Sequence, residues 1–443
     1  MTQKEFLQLC ASGTYDEIES ALKSGADANK RAYIYGAKVP PLFVAVMEEN
    51  YDAIRVLLEH GAHEGDGFTA AVVKGKKKLI KFLADCGADI NTEDSNGFTP
   101  LFLAVTGNKP RVLKWLIGMG ADVDKRSDAG YTALTYTALM QVKMKGMNAR
   151  SRKKVDQSVI ELLMKAGASY DEAMIIAVKS GNIPFLELII KNGADINRKC
   201  LFETEQTPLA AAIFTGEQEI DAGMVKFLAE NGADLNEVFA LGEDTFTNAV
   251  NVSITADRPD ITEILLSNGA DPDYRDPSGR TSLVYAVVTD EEILRVLLSH
   301  GADPNIADKE GRTPLMLAAL DVGTEPGIME ALIEHGADVN ARDDEGMTAL
   351  LWAVGGKDRS PGAVMSSLIR TGGFRAEGWL SWFGLVAAYS AIKREAQLDS
   401  IRLLVSRGAD VNIPDNKGMN AVMCAMMNFD DEAAEILAGK KEE

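Results

Sequence analysis

The sequence predicts an all-α repeat solenoid, and three observations carry the prediction. A phrase made of a hydrophobic helix end, Gly-Ala-Asp and then usually one residue and Asn or Asp begins at Gly25. Its glycine returns at Gly61, Gly87, Gly120, Gly167, Gly193, Gly232, Gly269, Gly301, Gly336, Gly372 and Gly408. The intervals are 36, 26, 33, 47, 26, 39, 37, 32, 35, 36 and 36 residues, a period that means stacked supersecondary units, none able to bury its apolar face alone. Between the glycines, apolar residues recur at helical spacing.

One unit shows how each element arises. From Ile306 to Asn340 the chain reads IADKEGRTPLMLAALDVGTEPGIMEALIEHGADVN. Asp308 to Gly311 is a polar turn, and Thr313-Pro314-Leu315 reads as a helix start, because Thr caps free N–H groups and Pro suits the first turn. After a glycine-containing loop, a second helix places Ile328, Leu332 and Ile333 on one face. It stops at Gly336, the residue type that accepts the left-handed conformation at a helix end. Each unit is thus a turn, a helix, a loop and a helix.

These residues resemble the ankyrin repeat family, whose turn, T-P-L-H-x-A and terminal G-A-D-x-N are similar to what stands here. The best copies are Thr99-Pro100-Leu101, Thr207-Pro208-Leu209 and Thr313-Pro314-Leu315, with looser ones at Thr132-Ala133-Leu134, Thr281-Ser282-Leu283 and Thr348-Ala349-Leu350. The family's His is replaced by Phe102, Ala210 and Met316. The resemblance implies stacked ankyrin-type helix-loop-helix units with short β-hairpin or turn fingers, and specificity carried by variable finger and first-helix positions.

Organisation follows from the repeats. Residues 1–439 are expected to form a single continuous domain of about 13 units. An N-terminal cap is expected at 5–29, regular units and one short unit at 30–124, and a unit at 125–169 with a basic insertion at 141–155. Units with an acidic surface follow at 170–371, then an aromatic-rich irregular unit at 372–412, a C-terminal cap at 413–439 and a tail at 440–443. Met419, Met423, Met426 and Met427 in the last unit are expected to be packing filler. Cys10, Cys86, Cys200 and Cys424 form no CxxC pair, which fits buried thiols in a reducing compartment. The N-terminus lacks a signal-peptide core and no apolar run is long enough for a membrane span. A soluble, cytoplasmic protein, monomeric on its own and without contact to a membrane, is the expectation.

Three departures from regularity stand out. The two 26-residue intervals are too short for a full turn and two helices, so Asp66 and Asp171 are expected to cap helices directly after the preceding unit. Either drift of a redundant repeat or a functional notch accounts for these gaps. The 47-residue interval contains Lys143, Lys145, Arg150, Arg152, Lys153 and Lys154 with no acidic residue in QVKMKGMNARSRKK, although the chain's net charge is −20. Residues 1–165 hold 23 Lys and Arg against 20 Asp and Glu, and residues 166–443 hold 23 against 46; such a field steers an oppositely charged partner. The basic stretch reads as a solvated loop or a docking patch. Around Gly372, the stretch GGFRAEGWLSWFGLVAAYSAI gathers Phe374, Trp379, Trp382 and Phe383, either as a binding anchor or as packing that replaces a missing turn. Tyr33, Tyr35, Phe98, Tyr131, Phe202, Phe239 and Tyr274 would line one side of the fingers.

No catalytic set emerges. Of the four His, His60, His300 and His335 precede repeat glycines and His63 replaces the motif Asp, so they read as structural slots rather than bases. Phosphate loops, dinucleotide fingerprints and calcium loops are not matched. The acidic remainder argues against nucleic acid. No cofactor or metal is expected. The reading is a non-catalytic scaffold that binds a protein partner on its concave finger and first-helix surface, with Lys143, Lys145, Arg150, Arg152, Lys153, Lys154, Tyr131, Phe98, Arg280, Arg312, Met347, Trp379 and Trp382 as candidate contacts. An inhibitory, immunity or accessory subunit that regulates an enzyme or toxin is the alternative.

Overall fold

The computed structural model describes residues 1–34, 36–140, 156–202, 204–214, 219–240, 246–320, 326–355 and 392–439. The chain divides into two compact units, Met1–Ala211 and Ala212–Glu443.

The first unit holds helices α1 (Gln3–Ser12), α2 (Tyr15–Lys23), α3 (Pro41–Met47), α4 (Tyr51–Glu59), α5 (Glu64–Lys74), α6 (Lys77–Asp85), α7 (Pro100–Thr106) and α8 (Pro110–Gly118). These are followed by α9 (Ala133–Met140), α10 (Gln157–Lys165), α11 (Asp171–Lys179) and α12 (Ile183–Lys191), with α13 (Pro208–Ile213) at the boundary. Odd-numbered helices from α1 to α11 pack on one another in sequence, and α8, α10 and α12 form part of a second layer. Two antiparallel hairpins project between helix pairs, β1 (Ala32–Ile34) with β2 (Ala37–Val39) and β3 (Cys200–Phe202) with β4 (Thr204–Gln206).

The second unit repeats the scheme. Its first-helix layer is α15 (Ala249–Thr255), α17 (Ser282–Ala286), α19 (Pro314–Leu320), α21 (Ala349–Val354) and α23 (Ala421–Met427). Its second layer is α14 (Ala222–Glu230), α16 (Pro259–Ser267), α18 (Glu291–Ser299), α20 (Pro326–Glu334), α22 (Ile392–Ser406) and α24 (Asp431–Leu437). The hairpin β5 (Phe239–Ala240) and β6 (Phe246–Thr247) precedes α15.

First helices begin as the sequence predicts. Thr99 and Thr348 accept the backbone N–H of Phe102 and Leu351 on their side-chain oxygens, and Pro100 sits in the first turn. Second helices end at glycines in the left-handed region, such as Gly301 at φ 86. The residue before that glycine closes the helix: His300 and His335 place Nδ1 at 3.0 and 2.8 Å from the carbonyls of Val296 and Ala331. Asn192, Asn231 and Asn268 donate to the equivalent carbonyl at 2.8 Å. The Val296 and Ala331 carbonyls also accept the backbone N–H of the same histidine, at 3.2 and 3.1 Å, so the imidazole adds a second contact at the helix end.

Side chains of the terminal motif link successive repeats. Asn305 Oδ1 accepts the Asp338 N–H at 2.7 Å while its Nδ2 donates to the Gly336 carbonyl at 3.0 Å. Asn29 does the same to His63 and Gly61. The polar turns stack as well, with Lys309 donating to the Ser278 carbonyl at 3.0 Å and Asp344 to that of Glu310 at 3.1 Å.

Two expectations change. Asp66 and Asp171 are not the caps of the short units; His63 and Tyr170 stand there. Asp66 is buried in the first turn of α5 and accepts Ser95 Oγ at 2.7 Å and the Arg31 guanidinium at 3.3 Å, so it fastens neighbouring turns. The links themselves survive by substitution, because Glu64 accepts the Asp89 N–H at 2.8 Å and the Tyr170 hydroxyl accepts that of Asp195 at 3.1 Å. Gly372, where the aromatic-rich irregular unit was expected to begin, lies outside the described residues. Asn340 bonds directly to Gly408 and Asp410 at 3.2 and 2.8 Å, and Asn416 donates to the Glu345 carbonyl at 2.9 Å. Helices α21 and α22 are thus partners within one repeat, because the link that leaves Asn340 closes on Gly408. Second, the methionines of α23 are not filler: Met423, Met426 and Met427 are 49%, 66% and 69% exposed.

Two predictions follow from this packing. A Cβ added at Gly65 would lie 2.0 Å from the Glu93 carbonyl oxygen, whereas one at Gly118 meets nothing within 4 Å. Gly65→Ala is expected to lower unfolding stability by about 1–3 kcal/mol in urea titrations, with Gly118→Ala neutral or slightly stabilising. Burial pushes the Cys10 thiol up from 9.0 to about 12. The folded state therefore holds this proton more tightly than the unfolded chain, and the stability it contributes is complete below the unfolded value and lost as pH rises through the folded one. Urea unfolding between about pH 8 and about pH 11 should show this alkaline loss, and Cys10→Ala should reduce its slope.

Candidate protein-interaction surface

Five of the turns that precede first helices share one internal brace. Asp276 Oδ1 accepts the N–H groups of Ser278 and Arg280 at 2.7 and 3.0 Å. Asp308 receives Glu310 and Arg312 at 3.0 and 2.9 Å, and Asp343 receives Glu345 and Met347 at 2.9 and 2.8 Å. Asp94 and Asp415 repeat the pattern with Asn96 and Phe98, and with Lys417 and Met419. One carboxylate oxygen thereby satisfies two backbone donors of a tight turn.

The other oxygen recruits side chains. Arg280 donates from Nε to Asp276 Oδ2 at 2.8 Å, and the Tyr285 hydroxyl donates to the same oxygen at 2.5 Å. Arg312 Nε and Trp352 Nε1 reach Asp308 and Asp343 at 2.8 and 2.9 Å. Arg280 is only 2% exposed and Met347 7%, so neither stands at a partner-facing surface as the sequence reading expected. Arg312 is half-buried and also pairs with Glu310 at 2.9 Å. The signal for the braced arginines was present in the sequence: each stands four residues after its turn Asp, a separation that lets the guanidinium fold back on the carboxylate.

Other expected contacts are more accessible. Tyr33 on β1 is 70% exposed. Phe98 is half-buried and stacks on Phe102 with ring centroids 5.2 Å apart, and Phe102 in turn meets Tyr136 at 4.8 Å. Aromatic packing between successive turns and helices thus fills the place of the family's His at Phe102. Tyr131 is half-buried, at the end of a turn whose Arg126 pairs with Glu172 at 3.0 Å. Phe239 is buried and Tyr274 half-buried. Lys143, Lys145, Arg150, Arg152, Lys153, Lys154, Trp379 and Trp382 lie outside the described residues, as do Tyr35, Phe374 and Phe383.

Two lysines of the first 165 residues share one structural partner. Lys74 pairs with Glu49 at 2.8 Å, and Lys76 pairs with the same carboxylate. These two ammonium groups hold Glu49 down at about 2. Among the described residues, no group of three or more His, Cys, Asp and Glu converges to hold a metal ion, and no helix is long and apolar enough to cross a membrane.

Short helix pairs stacked in two layers and tied by braced turns define a helical repeat protein. The family model for ankyrin repeats in three copies matches residues 68–144, 147–239, 223–308, 252–343 and 300–360, and the chain belongs to the ankyrin repeat family. Among curated proteins it is similar to a putative ankyrin repeat protein, FPV031, of Fowlpox virus, 34% identical over 196 residues that make up 42% of this chain and 54% of that one. It also resembles a putative ankyrin repeat-containing protein of Treponema pallidum, 28% identical over 161 residues, 36% of this chain and 50% of that one. The chain spans about half or less of the length of the curated relatives it matches. Among solved structures, the ankyrin repeat domain of Bcl-3 aligns at 25% identity and a TM-score of 0.44, covering 60% of this chain and 97% of that one. Ankyrin repeats generally mediate protein–protein interaction.

The buried brace predicts an asymmetry between two finger positions. Arg280→Ala removes the guanidinium that neutralises the buried Asp276 carboxylate, leaving it only neutral donors such as the Tyr285 hydroxyl, and should cost about 3–5 kcal/mol of unfolding free energy. Tyr131→Ala, at a half-buried turn position, should cost about 1 kcal/mol or less. Urea denaturation of both variants measures the difference.

Proposed function

We propose that this protein is a non-catalytic interaction scaffold that binds a protein partner on its concave finger and first-helix surface. The observation that carries the reading is the brace beneath the turns. With their backbone donors already satisfied by Asp94, Asp276, Asp308, Asp343 and Asp415, the turns present side chains from a pre-ordered frame. A partner then loses little free energy to ordering the scaffold. Phe98 and Arg312 on these turns, and Tyr131 on the turn before α9, remain at least partly accessible. The basic stretch with Lys143, Lys145, Arg150, Arg152, Lys153 and Lys154 supplies electrostatic steering, and Trp379 and Trp382 supply aromatic anchors. The scaffold works as a cytoplasmic monomer until it meets its partner.

Affinity capture from the native lysate at low and moderate salt tests this reading. Wild type should retain a protein that the variant with all six basic residues changed to Ser loses, and that salt weakens. Retention of the same protein by that variant in both salts removes the basic stretch from the surface and makes Trp379→Ala with Trp382→Ala the next comparison. Capture of no protein under either condition overturns the scaffold reading.

A further inference from the structure

The second helices α6 and α8 carry a feature that the finger surface does not use. Lys78 and Arg111 stand nine residues before Gly87 and Gly120, and Lys81 and Lys114 stand six before them. Because α6 packs beside α8, these residues form two columns of cations on neighbouring helices, about 8–10 Å from one helix to the next. All four are exposed, and Lys77 adds a fifth exposed cation. None of the five forms a recorded ion pair with a described residue, in contrast to Lys74 and Lys76. The 15 undescribed residues 141–155 contain no Asp or Glu that could neutralise them.

The placement is not explained by helix stability. Elsewhere the nine-before position is acidic at Asp16, Asp52, Asp260, Glu292 and Asp399 and uncharged at Ser158, Pro184, Gly223 and Gly327; Asp16, Asp52, Asp260 and Glu292 lie in the first turns of their helices, the sign that suits that end. On α6 and α8 the sign is reversed, against the dipole. Phe82 and Trp115, four residues after Lys78 and Arg111 and thus on the same helix face, are both half-buried, and Tyr51 packs edge-on against Phe82 at 4.8 Å. The acids around these positions are Asp52, beside Tyr51 on α4, the exposed Asp85 four residues after Lys81 at the end of α6, and Glu161 on α10, which packs on α8.

We infer that the outer face of α6 and α8 docks an extended acidic segment of a partner protein that carries apolar side chains among its carboxylates. Charge complementarity selects the carboxylates, and Phe82 and Trp115 give the apolar side chains a surface to cover. An extended chain advances about 3.3–3.6 Å per residue, so carboxylates three residues apart meet successive helices. This face is separate from the finger surface and goes beyond the scaffold reading.

A fluorescein-labelled peptide of repeated Glu-Glu-Leu, titrated with the full chain and followed by anisotropy, is the test. Wild type should bind it, with affinity falling about tenfold or more between about 50 mM and about 200 mM salt. The fourfold variant Lys78→Glu, Lys81→Glu, Arg111→Glu and Lys114→Glu should bind at least about tenfold more weakly with an unchanged circular dichroism spectrum. If that variant fails to fold, Lys81→Gln with Lys114→Gln should still weaken binding severalfold. Equal binding by wild type and a folded variant overturns the inference, as does no binding by wild type. Tighter binding of oligothymidylate or of phosphatidylserine vesicles, lost in the same variant, overturns the choice of an acidic polypeptide. Loss of peptide binding in the six-Ser variant at 143–154 with full binding by the α6–α8 variant moves the site to the basic stretch and overturns it too. A scaffold that captures its partner normally while ignoring the peptide loses this inference alone.

Discussion

Each helix pair depends on its neighbours for burial, and the rest of the structure follows from that dependence. The first helices are short, with seven residues in α3 and α7, well below the length at which an isolated helix holds in water. Leu101, Phe102, Ala104 and Val105 on α7 are almost fully buried, which one amphipathic helix packed against a single partner does not achieve. Burial on two sides, by the preceding and following repeats, supplies what propensity cannot.

Side-chain links then fix the register of that stacking while leaving the connecting length free. The link from Asn305 to Asp338 spans 33 residues, and the equivalent one from Asn340 to Asp410 spans 70. Geometry at the two ends is the same, so additional residues between α21 and α22 do not interrupt the order of the described repeats. The short units obey the same rule from the other direction. Without a turn, Glu64 and the Tyr170 hydroxyl supply the acceptor that Asn or Asp supplies elsewhere. A long flexible acid or a phenol reaches the same N–H from a backbone that starts its helix early. At Gly65 that close approach leaves no room for a side chain.

The turns divide their side chains between structure and surface. An Asp that binds two N–H groups with one oxygen leaves the other available, and in a buried setting an unpaired oxygen is costly. Arg280 with Tyr285, Arg312, and Trp352 each meet that need. A residue used in this way is withdrawn from recognition, whatever its chemistry suggests. Charge follows the same division: Lys74 and Lys76 are absorbed by Glu49, while Lys78, Lys81, Arg111 and Lys114 remain exposed.

The repeat identity, the positions of most helices and their Thr, Pro and Gly boundaries were legible in the sequence, because caps and left-handed glycines are set by backbone chemistry within a few residues. The histidines before Gly301 and Gly336 could likewise be read as structural slots. What the sequence misplaced were features decided by contacts between repeats. Asp66 looks like a cap but is buried under the next turn, and the link from Asn340 reaches 70 residues along the chain to Asp410. Positions 98, 280, 312 and 347 stand at the same distance from their turn Asp, yet Phe98 stacks on a neighbouring ring, Arg280 is buried, Arg312 is half-buried and Met347 is covered. The sequence by itself determined the repeat, its helices and its caps. Only the tertiary structure decided which finger side chains face outward, because that depends on how a carboxylate's second oxygen and the adjoining repeat are satisfied.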